Sequence, residues 1–433
     1  MPMYDVHPYP AIQIETLSPA PQTPHLIPAS GSGRRLYARR QRIATLVQQI
    51  ISEGRESGNY VLGRRVALLE HRLLETWGAG PAPTAAYLAT NSGSSALWAA
   101  LECLSFPAGS EVIVPSYTFF STANAVSNVR CPDAAGGHMQ HAGLTVVFVD
   151  VDPVTSTLSP QAVAAALTSR TVALIPVHLH GLMADMRPLL DLATREGLTV
   201  IEDAAQAHGA TYQQQAEAGR DHSSFAGTLG DFGCYSLAPV KNMGSLGADA
   251  GAIAISARQV DQHPGLLPRL RAWRNVGRLS AARYAHEEAG QRARMDELSA
   301  AELLDELTLL PAWNTRRRAI AARFTAALSS SSLGVQPPVV PAGRGHVFFT
   351  YAVCSPGVEA RAELERRLTT AHIEVVDAYT LVSEQWQYRT GRFPCRIECL
   401  DASRALAPRI TLIPCYPELE DTEIARIEEV LAS

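Results

Sequence analysis

Between residues 84 and 256 the chain alternates short β-branched runs with amphipathic helical stretches, and this alternation constrains the fold more than any other feature. The runs Glu111–Val114, Thr145–Val149, Thr171–Val177, Leu198–Glu202, Phe232–Ser236 and Ala250–Ile255 read as strands, with helical patterns such as Ser159–Leu167 and Met186–Glu196 between them. Near-continuous apolar strands separated by helices predict an α/β fold with a mainly parallel sheet covered on both faces. Upstream, residues 1–33 carry seven prolines in a polar setting and read as a flexible arm. The arginine-rich stretch Arg34–Arg42 leads into an amphipathic helix and reads as a solvated helix face before a contact for an acidic partner. Downstream, a helical region over about 296–328 precedes a mixed segment typical of a smaller α+β lobe. The expected organisation is an arm over 1–33, a large domain over 34–300 and a small C-terminal domain over 301–433.

Composition narrows the possible functions. A formal charge of −5 gives no basic footprint for nucleic acid, and no apolar run reaches the ~20 residues of a membrane span. Seven cysteines, odd in number and without CxxC pairs, point to a reducing compartment rather than a disulfide framework. Together with the absence of a secretory pattern, this predicts a cytoplasmic protein. The basic residues number 37, and only one of them, Lys241, is a lysine. Arginine cannot act as a neutral amine at physiological pH, so a solitary lysine suits a nucleophile; a compositional drift toward arginine reads equally well from the count alone.

Ligands of open α/β sheets bind beyond the carboxyl ends of the strands, and three segments fall there. Asp203, in Glu202-Asp-Ala-Ala-Gln-Ala-His-Gly209, suits either a partner for a protonated ring nitrogen or a helix cap; Gln206 lies three residues on. Thr90-Asn-Ser-Gly-Ser-Ser-Ala-Leu97 opens a helix with glycine and hydroxyls, as an anion site or an ordinary serine cap does. Cys234-Tyr-Ser-Leu-Ala-Pro-Val-Lys-Asn-Met-Gly244 places Ser236 five residues before Lys241 at a Gly-rich turn. A phosphate cradle, a carboxylate for a ring nitrogen and an amine for an aldehyde are together the demands of pyridoxal 5′-phosphate.

These segments occur in an order that resembles the DegT/DnrJ/EryC1/StrS family of pyridoxal-phosphate-dependent sugar aminotransferases. The likeness runs from Ser57-Gly-Asn-Tyr-Val-Leu-Gly63 through Glu111–Val126, Phe148–Asp152, Ile175–Gly181 and Glu202–Gly209 to Leu412-Ile-Pro-Cys-Tyr-Pro417. The resemblance implies the fold-type I architecture, with a seven-stranded-type sheet in the large domain. It implies that Lys241 holds the cofactor as a Schiff base, Asp203 pairs with the pyridine nitrogen and Gln206 approaches the ring hydroxyl. By the same likeness Phe119 stacks on the ring, while Ser94, Ser95 and Ser236 contact the phosphate. Arg292, where the family usually has asparagine, is expected to reach the phosphate of a neighbouring subunit, so that a homodimer shares its active sites. The partners implied are a small-molecule amino donor, glutamate or glutamine, and a keto acceptor on a nucleotide-linked sugar or related carbocycle.

Two departures stand out. The segment Cys131–His141 interrupts a connection that is tight in the family; its His138 and His141, with His178 and His180, read as solvated loop histidines rather than metal ligands. Tyr379-Thr-Leu-Val-Ser-Glu384 replaces a Tyr-Pro-x-Pro-Leu-His stretch on the substrate side. A family dehydratase and a non-catalytic cofactor-binding partner or sensor are the competing readings. The dehydratases carry histidine in place of the lysine, and the intact Lys241, Asp203 and Gln206 disfavour a mere binder.

Overall fold

The computed structural model describes residues 25–58, 60–80, 83–132, 139–140, 143–214, 222–246, 249–279 and 284–433. The strands of the large sheet are β1 (Thr84–Thr90), β2 (Glu111–Pro115), β3 (Thr145–Val149), β4 (Thr171–Leu174), β5 (Thr199–Asp203), β6 (Phe232–Ser236), β7 (Gly251–Ser256) and β8 (Cys395–Ile397). Their spatial order is β1-β7-β6-β5-β4-β2-β3-β8. From β6 to β8 every neighbouring pair is parallel, while β7 runs antiparallel to both β1 and β6. The expected α/β architecture is present, with an eighth strand added at the edge from the C-terminal region. That strand is three residues long and carries Arg396 at its centre, so no apolar run announces it. The expected strand Thr171–Val177 stops at Leu174, because Pro176 has no N–H for the ladder.

Both faces of the sheet are buried, which is why its strands read as unbroken apolar runs. One face packs Val147, Leu174, Val200 and Tyr235 under the helices Arg64–Trp77 and Met186–Glu196. The other packs Val112, Val146, Ile201 and Ile253 under the helix Gly93–Cys103. A third core, around Phe324, Tyr351, Leu364, Ile413 and Ile427, forms the C-terminal lobe. The helix Glu297–Leu328 joins the two lobes: Leu303, Leu307 and Leu310 bury against the large sheet, and Ile320 and Phe324 enter the small lobe's core.

The N-terminal segment is anchored at its described end. Ile27 is fully buried in the small-lobe core and bridges Ile373, so the flexible arm expected over 1–33 is fixed from there on. The arginine stretch after it is not a solvated face. Arg34 pairs with Glu423, Arg35 with Glu306, Arg39 with Glu302, Asp305 and Glu306, and Arg42 with Asp305. The acidic partners lie about 260 to 390 residues downstream, beyond the reach of local pattern. His138 and His141 lie outside the described residues. His178 and His180 are buried rather than solvated, because each has an internal partner: His178 bonds Glu202 and His180 bonds Thr350. Among the described residues no three His, Cys, Asp or Glu side chains converge as a metal site.

Candidate active site

Three strand ends meet where the chemistry-bearing segments converge. Gly251 at the start of β7 lies opposite both Thr90, the last residue of β1, and Ser236, the last residue of β6. Asp203 ends the next strand, with Cys234 of β6 as its parallel neighbour. The Ser92 turn presses onto this edge. A Cβ on Gly93 would lie 2.8 Å from Ser236 Cβ, and one on Gly251 would lie 2.3 Å from the Ser92 carbonyl carbon. Only glycine permits that approach, so both positions are fixed by the geometry.

Neighbouring Glu202 explains how Asp203 is held. The Glu202 carboxylate is wholly buried, accepts hydrogen bonds from the N–H groups of Gly227, Leu229 and Gly230, and lies 2.7 Å from His178 Nε2. It ties the loop before β6 to the end of β5. Asp203 points the other way, as alternation along a strand requires.

The Asp203 side chain is buried, accepting from Thr122 Oγ1 at 2.8 Å and from the Ala205 N–H at 3.2 Å. Burial raises its pKa; those two hydrogen bonds and the charge of Lys241 act against the rise. Lys241 sits in the loop between β6 and β7, with Nζ 4.8 Å from the centroid of the Phe349 ring. Burial lowers its pKa, opposed by Asp203 and Asp249. The carboxylate is thus favoured less, and the neutral amine more, than either would be in water.

Asp203, Gln206, Lys241, Phe119, Ser94 and Ser236 line one cavity of about 360 Å³. Ser94 donates to Ser121 Oγ at 2.8 Å. Ser95 does not line the cavity. Its N–H and its hydroxyl are both engaged with Ser92 Oγ, the cap of the helix Gly93–Cys103. The first helical hydrogen bond of that helix is from Ala96 N to Ser92 O, which leaves the Gly93 and Ser94 N–H groups ahead of it at the cavity wall. Phe119 is 55% exposed, its ring open to the cavity. Arg292 is exposed, bridges the backbone of Asn275 and is not part of the cavity wall.

Several residues that hold the site together were not anticipated. Thr122 bonds Asp203 across 81 positions, and Gln206 Nε2 donates to the Tyr379 hydroxyl across 173, at 2.8 Å each. Gln206 Oε1 accepts from the His180 N–H at 2.7 Å, so both ends of the amide are committed. The Tyr379 ring lies parallel to that of His180 and 6.0 Å from that of Phe119, and burial pushes its phenol up to about 12. The sequence held one signal for Tyr379, the tyrosine that opens the divergent segment 379–384.

Lys241, Val240, Phe349 and Tyr379 also line a second cavity of about 370 Å³. Its remaining walls come from residues 28–32, 374–377 and 412–418, with Arg35, Arg317 and Thr350. The lysine therefore stands on the partition between a chamber built from strand ends and one built from the small lobe and the N-terminal segment.

The profile of the DegT/DnrJ/EryC1/StrS aminotransferase family matches residues 41–432. The chain belongs to this family. Two DegT/DnrJ/EryC1/StrS relatives illustrate the likeness. A UDP-N-acetyl-3-dehydro-alpha-D-glucosamine 3-aminotransferase of Acidithiobacillus ferrooxidans is 34% identical over 392 residues, covering 90% of this chain and 93% of the relative. A dTDP-3-amino-3,4,6-trideoxy-alpha-D-glucose transaminase of Streptomyces venezuelae is 34% identical over 86% of this chain and 87% of its own. Among solved structures, Streptomyces venezuelae DesV in complex with a ketimine intermediate superposes with a TM-score of 0.78 at 32% identity, covering 94% of this chain and 98% of that one. The chain is a pyridoxal-phosphate-dependent aminotransferase. Its residues suit that cofactor. The cavity offers a buried carboxylate, an amine, an aromatic face and, where Gly93 meets Ser236, hydroxyls beside helical N–H groups.

Proposed function

We propose that this aminotransferase moves an amino group from glutamate or glutamine to a keto group on a nucleotide-linked sugar or a related carbocycle. The observation that carries the proposal is the facing of Lys241 and Asp203 into one cavity at the carboxyl edge of the sheet, with a second chamber beyond the lysine. The nucleotide-linked sugars in the names of the two relatives above support the substrate class.

Pyridoxal phosphate, when bound, supplies an aldehyde that takes up the donor's nitrogen and a ring that accepts the electron pair left at the donor's α-carbon. In the proposed roles Asp203 accepts the N–H of the pyridine ring. Thr122 and the Ala205 N–H stabilise its charged form, which burial alone would discourage. Gln206, braced by His180 and Tyr379, faces the ring's hydroxyl side. Phe119 covers the ring face. Ser94, Ser236 and the free N–H groups of the helix start hold the phosphate, a location favoured by the helix dipole. Ser95 acts through the cap it shares with Ser92. Lys241 would attach the cofactor through its amine, and the same amine would take the proton from the donor's α-carbon. Its lowered pKa suits both tasks, since each needs the neutral amine.

The proposal extends to a homodimer in which Arg292 of one subunit meets the phosphate held by the other. The exposed position of Arg292 away from its own cavity supports this, as does the exposure of Phe119 and Val240 at the cavity mouth. Two lobes dividing near residue 300, with the shared helix Glu297–Leu328 between them, would allow the outer chamber to adjust to its substrate. A cytoplasmic location is in keeping with seven free cysteines; among the described residues no helix is long and apolar enough to cross a membrane. A screen of keto sugars and keto carbocycles with ¹⁵N-labelled glutamate and glutamine, read by mass spectrometry, tests the assignment. Transfer of label to a keto sugar or cyclitol is expected; transfer only to simple 2-oxo acids would refute the acceptor class.

A further inference from the structure

The loop that carries Lys241 has backbone carbonyls that its own turns leave unused. Within the loop the Lys241 N–H bonds Ala238 O at 2.9 Å, and the Ser245 N–H bonds Leu237 O at 2.8 Å. The carbonyls of Pro239, Lys241 and Asn242 instead receive one guanidinium, that of Arg35. Its Nη2 lies 2.5 Å from Pro239 O, and its Nη1 lies 3.0 Å from Lys241 O and 3.5 Å from Asn242 O. Its Nε is 3.1 Å from Glu306 Oε1, and Glu306 Oε2 accepts the Gly244 N–H at 2.7 Å. Arginine and glutamate together therefore grip the loop on both sides of the lysine.

Everything around this grip is fitted to it. The Arg35 side chain is 6% exposed and that of Glu306 is wholly buried. The guanidinium lies 5.5 Å from the centroid of the Trp313 ring. A Cβ on Gly244 would fall 3.0 Å from Arg35 Nη2. Burying a guanidinium is costly unless its charge is paired and its donors are used, and here the carbonyls it satisfies belong to the lysine and its neighbours. Arg35 also precedes the family-matched residues 41–432, so the matched region does not contain this contact.

We propose that Arg35 is a positioning residue for Lys241: its planar fork fixes the loop so that the amine is presented to the cofactor cavity. The proposal rests on the reading of Lys241 as the residue that attaches pyridoxal phosphate. Lysine at position 35 would keep the charge beside Glu306 but could not span the same carbonyls, because an ammonium is a point donor and a guanidinium a rigid fork.

The test uses cofactor-free full-length protein. It is mixed with pyridoxal phosphate, quenched with borohydride at set times, and the modification of the Lys241 peptide is followed by mass spectrometry. Arg35→Lys and Arg35→Ala are expected to slow modification by about 10- to 100-fold, the scale of effect for a misplaced reacting group. Arg34→Ala serves as the control, since Arg34 anchors the same helix through Glu423 without touching the lysine loop. It should leave the rate within about twofold, a change below ~0.5 kcal/mol. Should Arg35→Ala fail to fold, Arg35→Lys decides. Modification of Arg35→Lys at the wild-type rate, or equal slowing by Arg34→Ala, would overturn the proposal. Absence of label from Lys241 in the wild type would overturn the reading of the lysine itself, a separate outcome.

Discussion

The two chambers that share Lys241 are built by different means. The inner one is assembled from strand ends held in register: Thr90, Gly251 and Ser236 lie side by side, Asp203 ends the adjacent strand, and glycines 93 and 251 let the Ser92 turn close over them. The outer one is walled largely by three segments distant in sequence, residues 28–32, 374–377 and 412–418, which the small lobe and the N-terminal segment bring together. A sheet edge leaves little freedom to its residues, because a one-residue slip would turn every side chain to the opposite face. Loop walls carry no such constraint. The difference teaches why cofactor chemistry can stay fixed while the acceptor pocket diverges, as the segment 379–384 does.

If the inner chamber carries the chemistry, substitutions there should affect rate and those in the outer chamber should affect selectivity. Lys241→Arg keeps charge and bulk but cannot supply a neutral amine, and it should lower turnover by at least about 10⁴-fold. The protein should remain folded by circular dichroism, and turnover near wild type would remove the lysine from the mechanism.

Asp203→Asn comes next, with a loss of about 10²- to 10⁴-fold in kcat. Thr122 can still donate to the amide oxygen, so cofactor binding by equilibrium dialysis should survive. The pH profile sharpens this prediction. Burial raises the pKa of Asp203, so the carboxylate is lost as pH falls through a value above the usual 3.8. Burial lowers the pKa of Lys241, so the neutral amine is gained as pH rises through a value below the usual 10.5. Activity should therefore fall on the acid side earlier than free aspartate would dictate. It should rise on the alkaline side earlier than free lysine would. Asp203→Asn should abolish the acid limb and leave the alkaline one.

A smaller effect is expected at the proposed interface. Arg292→Ala should weaken pyridoxal phosphate binding by about 1.5–3 kcal/mol, the range for a hydrogen bond to a charged group. Heterodimers of wild type with a subunit bearing both Arg292→Ala and Lys241→Ala decide where the arginine acts. If it crosses the interface, one site lacks its lysine and the other its arginine. Half-normal activity with wild-type affinity would rule out the cross-subunit contact.

The smallest effect belongs to the partition. Tyr379→Phe removes the hydroxyl that receives Gln206 Nε2, a contact worth about 1 kcal/mol, or roughly fivefold. The change should appear in the KM for the keto acceptor, with kcat for donor deamination nearly unchanged. An equal loss in both half-reactions would place Tyr379 in the inner chamber's chemistry.

The sequence made one chamber legible and hid most of the other. Asp203, Ser236 and Lys241 could be found because strand ends, Gly-rich turns and a solitary lysine leave local marks within a few positions. Thr122 left none and Tyr379 only its place at the head of a divergent segment, because they meet Asp203 and Gln206 through contacts 81 and 173 positions apart. The arginines 34–42 showed a charged helix but not its partners, since Glu302, Asp305, Glu306 and Glu423 lie on helices of the C-terminal part. The edge strand β8 was too short and too polar to register. Local rules reach the elements; which of them meet is decided by packing.

The most direct test of the central claim, that the inner chamber alone performs the donor half of a transamination, is a single-turnover experiment without acceptor. Holoenzyme is incubated with ¹⁵N-glutamate or ¹⁵N-glutamine, and the released cofactor and keto acid are analysed by mass spectrometry. One equivalent of ¹⁵N-aminated cofactor and one of the donor's 2-oxo acid per subunit are predicted for the wild type and for Tyr379→Phe, and none for Lys241→Arg. Unlabelled cofactor in the wild type with both donors, or labelled cofactor in Lys241→Arg, would contradict it.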